Sequence, residues 1–560
     1  MSSLMRSATL ALLVCTGPLL AAPVPTPAKY EPPTAVGQLA SVTKLLETVL
    51  GYAKAFSPES ATGVEKGLAD LLGEKGWAGL DTAKPIGVYV YAKPKLEDST
   101  LFFVFPVTKE KDALDLLERL GVGVEEDAKA KGVYRLTHRG LLPENSPTRM
   151  RFHAGQAYVG INADADELEP AKLLPAAQVI DAKETALVAV TAFPGRAPAE
   201  LKEMTDGWWA SAKANLNQLE NQAPRDMPKG FPAFAKACVG WVEANSAALF
   251  KDAETATVRL TPDPKTTDAA LEVVVTPKAK SPLAADIAKL EKLTPGRFHQ
   301  LVTKDATGGL TATLGTGLNK EVRTTAGPFL ADWIELTAGG ADAVQPVLTA
   351  LSQAVSKMLA DGTTDLGVAM LGPDKNAAYT LIAAAAVPDP AALEKAVRTM
   401  VKDLPDDVEA KKTIKLDAEK VGDVSVHTMT LPEGAEAVFG KKPTVRVAFG
   451  KDAVYVAVGP DGPAQLKRAM ELKPADGKRF DLLMNPKKVN KLVADLSGGP
   501  NGGAGAGWID VIIGQEDGLR SFTGLDVKGG KELKVTLSQH RTGLLFGLFG
   551  FMAFRVGGGL

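Results

Sequence analysis

Hydrophobic and polar residues alternate with a period of two along many short stretches of this chain, and several of these stretches occur twice. PTRMRFHAGQAYVGIN (Pro147–Asn162) and PTVRVAFGKDAVYVAVG (Pro443–Gly459) each show two alternating runs around a turn that contains glycine, at Ala154–Gln156 in the first. Alternation predicts half-buried strands, and a short turn between two such runs predicts a β-hairpin. The sequence therefore predicts one hairpin twice.

Other strands repeat in the same order along the chain. GVYVYAKP at Gly87–Pro94 resembles GVAMLGP at Gly367–Pro373, and STLFFVFPV at Ser99–Val107 resembles YTLIAAAAV at Tyr379–Val387. Both pairs lie 280 residues apart, and a helical stretch follows the later strand in each case.

The separation between matching residues grows slowly towards the C-terminus. It is 290 residues between Gly132 and Gly422 and 297 residues between Tyr158 and Tyr455. Collinear elements with slowly growing separations are what a duplication followed by loop insertions leaves behind. We therefore predict a tandem duplication.

Helices and later strands extend the match. The strand at Glu184–Phe193 resembles Lys478–Pro486, and the hairpin at Thr255–Pro277 resembles the one at Phe522–Ser538. Apolar residues at three- and four-residue spacing predict a long amphipathic helix at the start of each copy. They are Leu39, Val42, Leu46, Val49 and Phe56 in the first copy and Val344, Val347, Leu351, Val355 and Met358 in the second.

These patterns predict an α+β fold of two tandem copies of an antiparallel sheet covered by amphipathic helices. We assign residues 36–295 to the first copy, 296–343 to a connecting segment and 344–560 to the second copy. A chain of 560 residues exceeds what one ordinary core accommodates, which agrees with this division.

The N-terminus predicts export. Arg6 precedes the apolar run ATLALLV, and PLLAA then ends in small residues, as in a secretory signal peptide. We assign residues 1–21 to the signal peptide and residues 22–35 to a proline-rich spacer. Cys15 lies inside the discarded segment, so the mature chain keeps only Cys238 and forms no intramolecular disulfide.

Two apolar features allow more than one interpretation. GLLFGLFGFMAF at Gly543–Phe554 carries no charge and is short for a membrane span, so we favour a buried final segment over contact with a membrane interface. Trp208 and Trp209 are adjacent on a predicted helix, where neighbouring side chains point about 100° apart. One of them is a candidate contact residue, although core packing is favoured for both.

Composition and motifs exclude several classes of function. The net charge of -2 and the pI near 6.3 provide no basic field for nucleic acid. None of the five histidines lies three or four residues from another, and no Gly-x-Ser-x-Gly motif occurs. NADADELE at Asn162–Glu169 departs from a calcium loop, and a helix N-cap at Asp166, matched by Asp461, is favoured instead. We assign no catalytic, cofactor-binding or metal-binding residue.

This layout resembles uncharacterised bacterial envelope proteins that carry a signal peptide and tandem α+β repeats, a resemblance that covers most of residues 35–554. The missing catalytic clusters and the amphipathic helices favour a periplasmic or extracellular, non-enzymatic binding or scaffolding module, whose partner is an envelope protein or an apolar ligand. Two alternatives stay open: a carrier or sensor of an apolar ligand, and an exported hydrolase whose residues meet only in three dimensions.

Overall fold

The computed structural model describes residues 31–56, 58–137, 146–221, 227–291, 295–314, 319–338, 345–362, 364–406, 409–496 and 517–540. The predicted signal peptide, residues 22–30 of the spacer, His138 and the apolar segment 543–554 lie outside these ranges.

The described part of the chain has a mixed α+β fold with a large antiparallel sheet, as the sequence predicts. Its strands are β1 Ala35–Leu39, β2 Ile86–Tyr91, β3 Thr100–Pro106, β4 Gly123–Glu126, β5 Val133–Thr137, β6 Thr148–His153, β7 Gln156–Ile161, β8 Val188–Ala192, β9 Ala253–Pro262, β10 Ala269–Pro277, β11 Ala306–Leu314, β12 Thr364–Leu371, β13 Thr380–Ala386, β14 Ile414–Val421, β15 Val424–Thr430, β16 Thr444–Phe449, β17 Ala453–Val458, β18 Phe480–Met484, β19 Arg520–Lys528 and β20 Leu533–Gln539.

Helices separate groups of these strands. They are α1 Val42–Phe56, α2 Pro58–Leu72, α3 Glu110–Arg119, α4 Ala176–Val179, α5 Ala199–Asn221, α6 Phe231–Asp252, α7 Pro282–Leu290, α8 Lys320–Ala338, α9 Gln345–Asp361, α10 Pro390–Asp403, α11 Glu409–Thr413, α12 Glu436–Phe439, α13 Gly462–Glu471 and α14 Pro486–Leu496. Helix α10 shows why a helix starts where it does: the Asp389 carboxylate accepts the Ala392 N–H (3.0 Å), and Pro390 fills the first helical position.

Backbone contacts divide the chain into two compact units. Unit 1 holds the chain up to Trp208, Asn245–Ala288 and Lys528–Thr536. Unit 2 holds Trp209–Ala244, Lys289–Val527 and the chain from Leu537 onwards.

In unit 1 the pairings give the strand order β4-β5-β6-β7-β3-β2-β1-β8-β9-β10. The β6–β7 hairpin turns at Ala154 and Gly155, whose φ angles are +50° and +74°. Two consecutive positive φ angles produce a tight turn that matches the strand twist, and glycine adopts this conformation without strain. The predicted hairpin and its turn are therefore confirmed.

In unit 2 the pairings give the strand order β14-β15-β16-β17-β13-β12-β11-β18-β19. Strand β20 follows β19, and the His540 N–H donates to the carbonyl of Phe522 at 3.0 Å. The predicted second hairpin corresponds to β16 and β17, which pair over Val445–Phe449.

The start of each predicted copy differs from the structure. Leu39 lies in strand β1, so the first long helix begins at Val42 and does not include it. Residues 296–343, assigned to a connecting segment, contain strand β11 and helix α8. Because β11 pairs with β12 on one side and β18 on the other, it is an internal strand of unit 2.

Each unit has its own aromatic and aliphatic core. In unit 1, Tyr89 and Phe102 stack with ring centroids 4.8 Å apart, and Tyr158 is also buried there. In unit 2, Phe298 meets Tyr455 edge to face at 6.0 Å. Burial of apolar side chains from the sheet and the neighbouring segments is the main source of stability in both units.

Glycines permit a close approach of neighbouring segments in both units, as Gly87 and Gly367 show. A Cβ on Gly87 in β2 would lie 2.9 Å from Cγ1 of Val179. A Cβ on Gly367 in β12 would lie 2.3 Å from the backbone carbonyl oxygen of Phe298. The second contact involves backbone, so it cannot be relieved by rotating a side chain.

Replacing Gly367 by alanine should therefore destabilise the protein. We expect Gly367→Ala to lower the free energy of unfolding by about 1–3 kcal/mol, because the Phe298 segment must move away from the sheet. Urea unfolding followed by circular dichroism measures this difference. Gly63→Ala is the control, since Gly63 lies on helix α2 with open space around it. An equal effect of the two substitutions would contradict the packing argument.

Candidate functional site

The chemistry-bearing residues named from the sequence lie apart from one another. His153 is in β6, His299 in a 3₁₀ turn, His427 in β15, and His540 follows β20. Cys238 is half-buried in α6, where burial raises the pKa of its thiol above the ordinary value. A raised thiol pKa reduces the thiolate fraction, which does not favour a nucleophilic role.

The helix-cap prediction is wrong for Asp166. The residues after it form turns, and the Asp166 carboxylate binds Lys172 at 3.2 Å. Asp461 does occupy the N-cap position of α13, but its carboxylate accepts from the side chain of Gln465 (2.6 Å) rather than from a helix N–H. Both aspartates therefore serve local side-chain contacts.

Within the described residues, one group of acidic and histidine side chains brings its ligand atoms within 4.8 Å of one another: Glu394, Asp417 and His427. Glu394 lies on α10, Asp417 on β14 and His427 on β15. Arg398, one helical turn after Glu394, contacts both carboxylates. We call these four residues the His427 cluster.

The local backbone of β14 positions Asp417. The register of β14 on β15 shifts between Lys415 and Glu419, and Asp417 has a φ of +53°. Such a bulge adds a residue to one strand, bends it and re-aims its side chains. Here it turns the Asp417 N–H towards the imidazole of His427 and leaves its carboxylate beside Arg398.

The hydrogen bonds of His427 define its tautomer. Its Nδ1 accepts the Asp417 N–H at 3.0 Å, so the single proton of the neutral ring is on Nε2. That buried Nε2 lies 3.3 Å from Oε1 of Glu394, yet it has no aligned hydrogen-bond acceptor. His427 is only 4% exposed, and its ring packs 5.7 Å from that of Phe449. The ring thus has one satisfied nitrogen and one unsatisfied nitrogen in a buried position.

Arg398 bridges the two carboxylates. Its guanidinium donates to Glu394 at 2.7 and 2.9 Å and to both oxygens of Asp417 at 2.6 and 2.8 Å. The hydrogen bonds from Arg398 lower the pKa of Asp417 to about 2, and the same hydrogen bonds raise the pKa of Arg398. Two-oxygen contacts of this kind are among the stronger ion pairs in proteins.

The geometry favours this ion-pair network over a metal site. A metal at Nε2 needs the lone pair of that nitrogen, but Nδ1 already accepts a hydrogen bond, so the ring would have to lose its only proton. The guanidinium of Arg398 also supplies the positive charge that the carboxylates require. The cluster likewise offers no free base for hydrolysis, because its accessible carboxylates are engaged and its imidazole is buried.

A groove between two helices of unit 2 is the second candidate. Helices α8 and α9 cross closely at Gly327, where a Cβ would lie 2.7 Å from Cα of Ser356. Beside this crossing is a groove of about 640 Å³. Its lining combines apolar, hydroxyl and amide side chains with one lysine: Thr324, Pro328, Ala331, Leu348, Thr349, Ser352, Gln353, Ser356, Lys357 and Ala360.

Comparison with known proteins yields no relative from which a site could be transferred. No protein-family model, curated protein or solved structure matches the chain. Among the helices of the described ranges, none combines the length and hydropathy needed to cross a membrane. Trp208, the candidate contact residue, is 58% exposed, whereas Trp209 is half-buried.

The low pKa of Asp417 predicts an acid-dependent effect of removing Arg398. A carboxylate whose pKa falls from 3.8 to about 2 on folding stabilises the folded state above pH 4, and this contribution disappears as the pH falls through 2. Arg398→Met should therefore lower the melting temperature at pH 5–7, and the difference from the wild type should shrink between pH 4 and pH 2.

Calorimetry across this pH range tests the prediction. Lys491→Met serves as the control, because Lys491 pairs with a single carboxylate, that of Asp495 at 3.1 Å, in an exposed i,i+4 pair on α14. Such pairs contribute little to stability. A difference for Arg398→Met that stays constant down to pH 2 would show that Asp417 is not the group responsible.

Proposed function

We propose that this chain is an exported, non-enzymatic protein of the bacterial envelope, built from two tandem copies of one α+β unit. Its sheets and helices would form a binding or scaffolding surface in the periplasm or outside the cell. The observation that carries the proposal is the strand order. Nine neighbouring strands of the sheet in unit 1 follow the order β4-β5-β6-β7-β3-β2-β1-β8-β9. Nine strands of unit 2 follow the matching order β14-β15-β16-β17-β13-β12-β11-β18-β19.

The register supports the same duplication at the level of single residues. Val104 lies opposite Gly87 on one side and Tyr158 on the other. Ala384 lies between Gly367 and Tyr455 in the same way. These are the residues that match at separations of 280 and 297 in the sequence. A coincidence of short strands would not preserve pairing partners on both edges.

One sequence match needs correction. Val133 pairs with Arg151, and Val426 pairs with Ala448 at the equivalent position of the second hairpin. The registers therefore match Val133 with Val426, so Gly132 and Gly422 are not equivalent. The mismatch arises because β14 and β15 are longer than β4 and β5, which moves the turn between them.

Export rests on the sequence of the first 21 residues, which has the pattern of a secretory signal peptide. The carboxylates of the His427 cluster are paired with Arg398, so the cluster provides no free catalytic base. This pairing favours a binding role over an enzymatic one. The lining of the groove between α8 and α9 indicates which chemistry a bound partner would have.

The groove favours a second candidate, a carrier or sensor of an apolar ligand. Leu348, Pro328 and Ala331 provide an apolar wall, and Lys357 provides a cation at the same groove. A pocket with mostly apolar lining and a few polar groups is typical of small-molecule sites. A ligand with an apolar body and a polar or anionic end would match this lining.

Native mass spectrometry with lipid extraction tests the carrier form on mature protein purified from its own envelope. We expect an additional bound mass in the wild type that is lost in Ser352→Trp, because the indole would fill the groove. Leu351→Trp is the matched control, since Leu351 is exposed and does not line the groove. A wild type without bound mass would contradict the carrier form. Failure to recover an envelope partner by cross-linking in cells would then contradict the scaffolding form.

A further inference from the structure

We propose that the His427 cluster is a proton-responsive latch, in which protonation of His427 releases the bulge of β14. The comparison of this cluster with unit 1 rests on the duplication in the proposed function, whereas the pH response itself does not depend on export or on the identity of a ligand. Three features point to the latch: the occupancy of the two imidazole nitrogens, the charges around them and the corresponding register position in unit 1.

Unit 1 fills the equivalent position with apolar side chains. By strand register, Tyr134 corresponds to His427 and Phe152 to Phe449. The first residues of helices α3 and α10 are separated by 280 residues in the chain, so Leu114 corresponds to Glu394. Leu114, Tyr134 and Phe152 pack in one hydrophobic cluster, and the rings of the latter two lie 5.9 Å apart. The fold therefore does not need a buried histidine here, and its presence in unit 2 calls for another reason.

Protonation cannot leave the cluster unchanged. The neutral ring has its only free lone pair on Nδ1, which accepts the Asp417 N–H at 3.0 Å. A second proton, taken from solvent, must bind Nδ1, and an N–H would then face another N–H. The hydrogen bond from Asp417 has to break, because neither group can accept. Imidazole ordinarily titrates within the pH range of 5 to 8.

The surrounding charges provide partners for the protonated ring. Glu394 on α10 has Oε1 at 3.3 Å from Nε2, and Asp417 on β14 has Oδ1 at 3.8 Å from Nδ1. Arg398 on α10 is the opposing charge, and it is paired with both carboxylates. On the β16 side, His427 faces Val447 and Phe449, which carry no charge. Protonation thus exchanges one backbone hydrogen bond for two contacts with carboxylates.

The bulge is able to respond because of its place in the sheet. Among the described pairings β14 pairs with β15 alone, so its other edge makes no ladder that would have to break. Asp417 has a positive φ, a conformation that is uncommon for a non-glycine residue although aspartate adopts it more readily than most. Loss of the His427 hydrogen bond removes one of the contacts that hold it.

Hydrogen exchange followed by mass spectrometry tests the latch in the mature full-length protein between pH 7.5 and pH 5.5. After correction for intrinsic exchange, we expect protection of residues 414–421 to be lower at pH 5.5 than at pH 7.5, because the hydrogen bond from the Asp417 N–H to Nδ1 is lost when that nitrogen is protonated. The edge strand β4 of unit 1, residues 123–126, is the internal control and should not change.

Two variants make the test specific. His427→Asn keeps an acceptor near the position of Nδ1 but does not titrate, and Glu394→Leu with His427→Tyr installs the residue types of unit 1. Both should protect residues 414–421 equally at the two pH values. Circular dichroism checks that each variant is folded, and the ¹⁵N shifts of His427 in the wild type report its tautomer whether or not the variants fold.

Three results would overturn the latch. They are protection of residues 414–421 that does not depend on pH in the wild type, the same pH dependence in His427→Asn, or a proton on Nδ1 at pH 7.5. Titration of the wild type with ZnCl₂ at pH 7.5 adds a separate check. Saturable binding that His427→Asn abolishes would mean that Nε2 is free to bind a metal, which contradicts the tautomer on which the latch depends.

Discussion

Strand β1 forms hydrogen bonds on both edges, and this two-sided pairing is the constraint on which the sheet of unit 1 depends. Gly37 at its centre lies opposite Val88 of β2 and Val190 of β8. These partners are far apart in sequence, so β1 joins the hairpins before and after it into one sheet. Strand β11 has the same role in unit 2, with Thr311 opposite Gly367 and Asp481. Buried backbone groups must be paired, and a missing internal strand would leave both neighbours unsatisfied.

The elements that sequence analysis predicts are those whose partners are near in the chain. The hairpin β6–β7 follows from alternation and from the turn at Ala154–Gly155, both of which are local. Strand β1 is missed because AVGQL is short, and the strand in ATGGLTATL is assigned to a connecting segment because its pairing partners are remote. The spacing of Leu39 from Val42 fits a helical face, so the sequence pattern predicts a helix there. Distant pairing, not local pattern, decided its conformation.

The His427 cluster could not be predicted from residue spacing. Glu394, Asp417 and His427 come from one helix and two strands, and a bulge at Asp417 brings them together. A bulge leaves little signal in a single sequence, since DAEK would also fit a regular strand. The residue at the corresponding register position of unit 1 is Tyr134, so among the described residues such a cluster occurs in unit 2 alone.

The bulge at Asp417 has a consequence for association between molecules. An open sheet edge presents unpaired N–H and C=O groups that a second chain can extend into a continuous ribbon. Among the pairings of the described residues, strand β14 has such an edge, but the shifted register and the left-handed residue interrupt its row of groups, and Lys415 and Lys420 add charge. In unit 1 the edge strand β4 is only four residues long and ends in Glu125 and Glu126. These two edges therefore resist the edge-to-edge polymerisation that large antiparallel sheets invite.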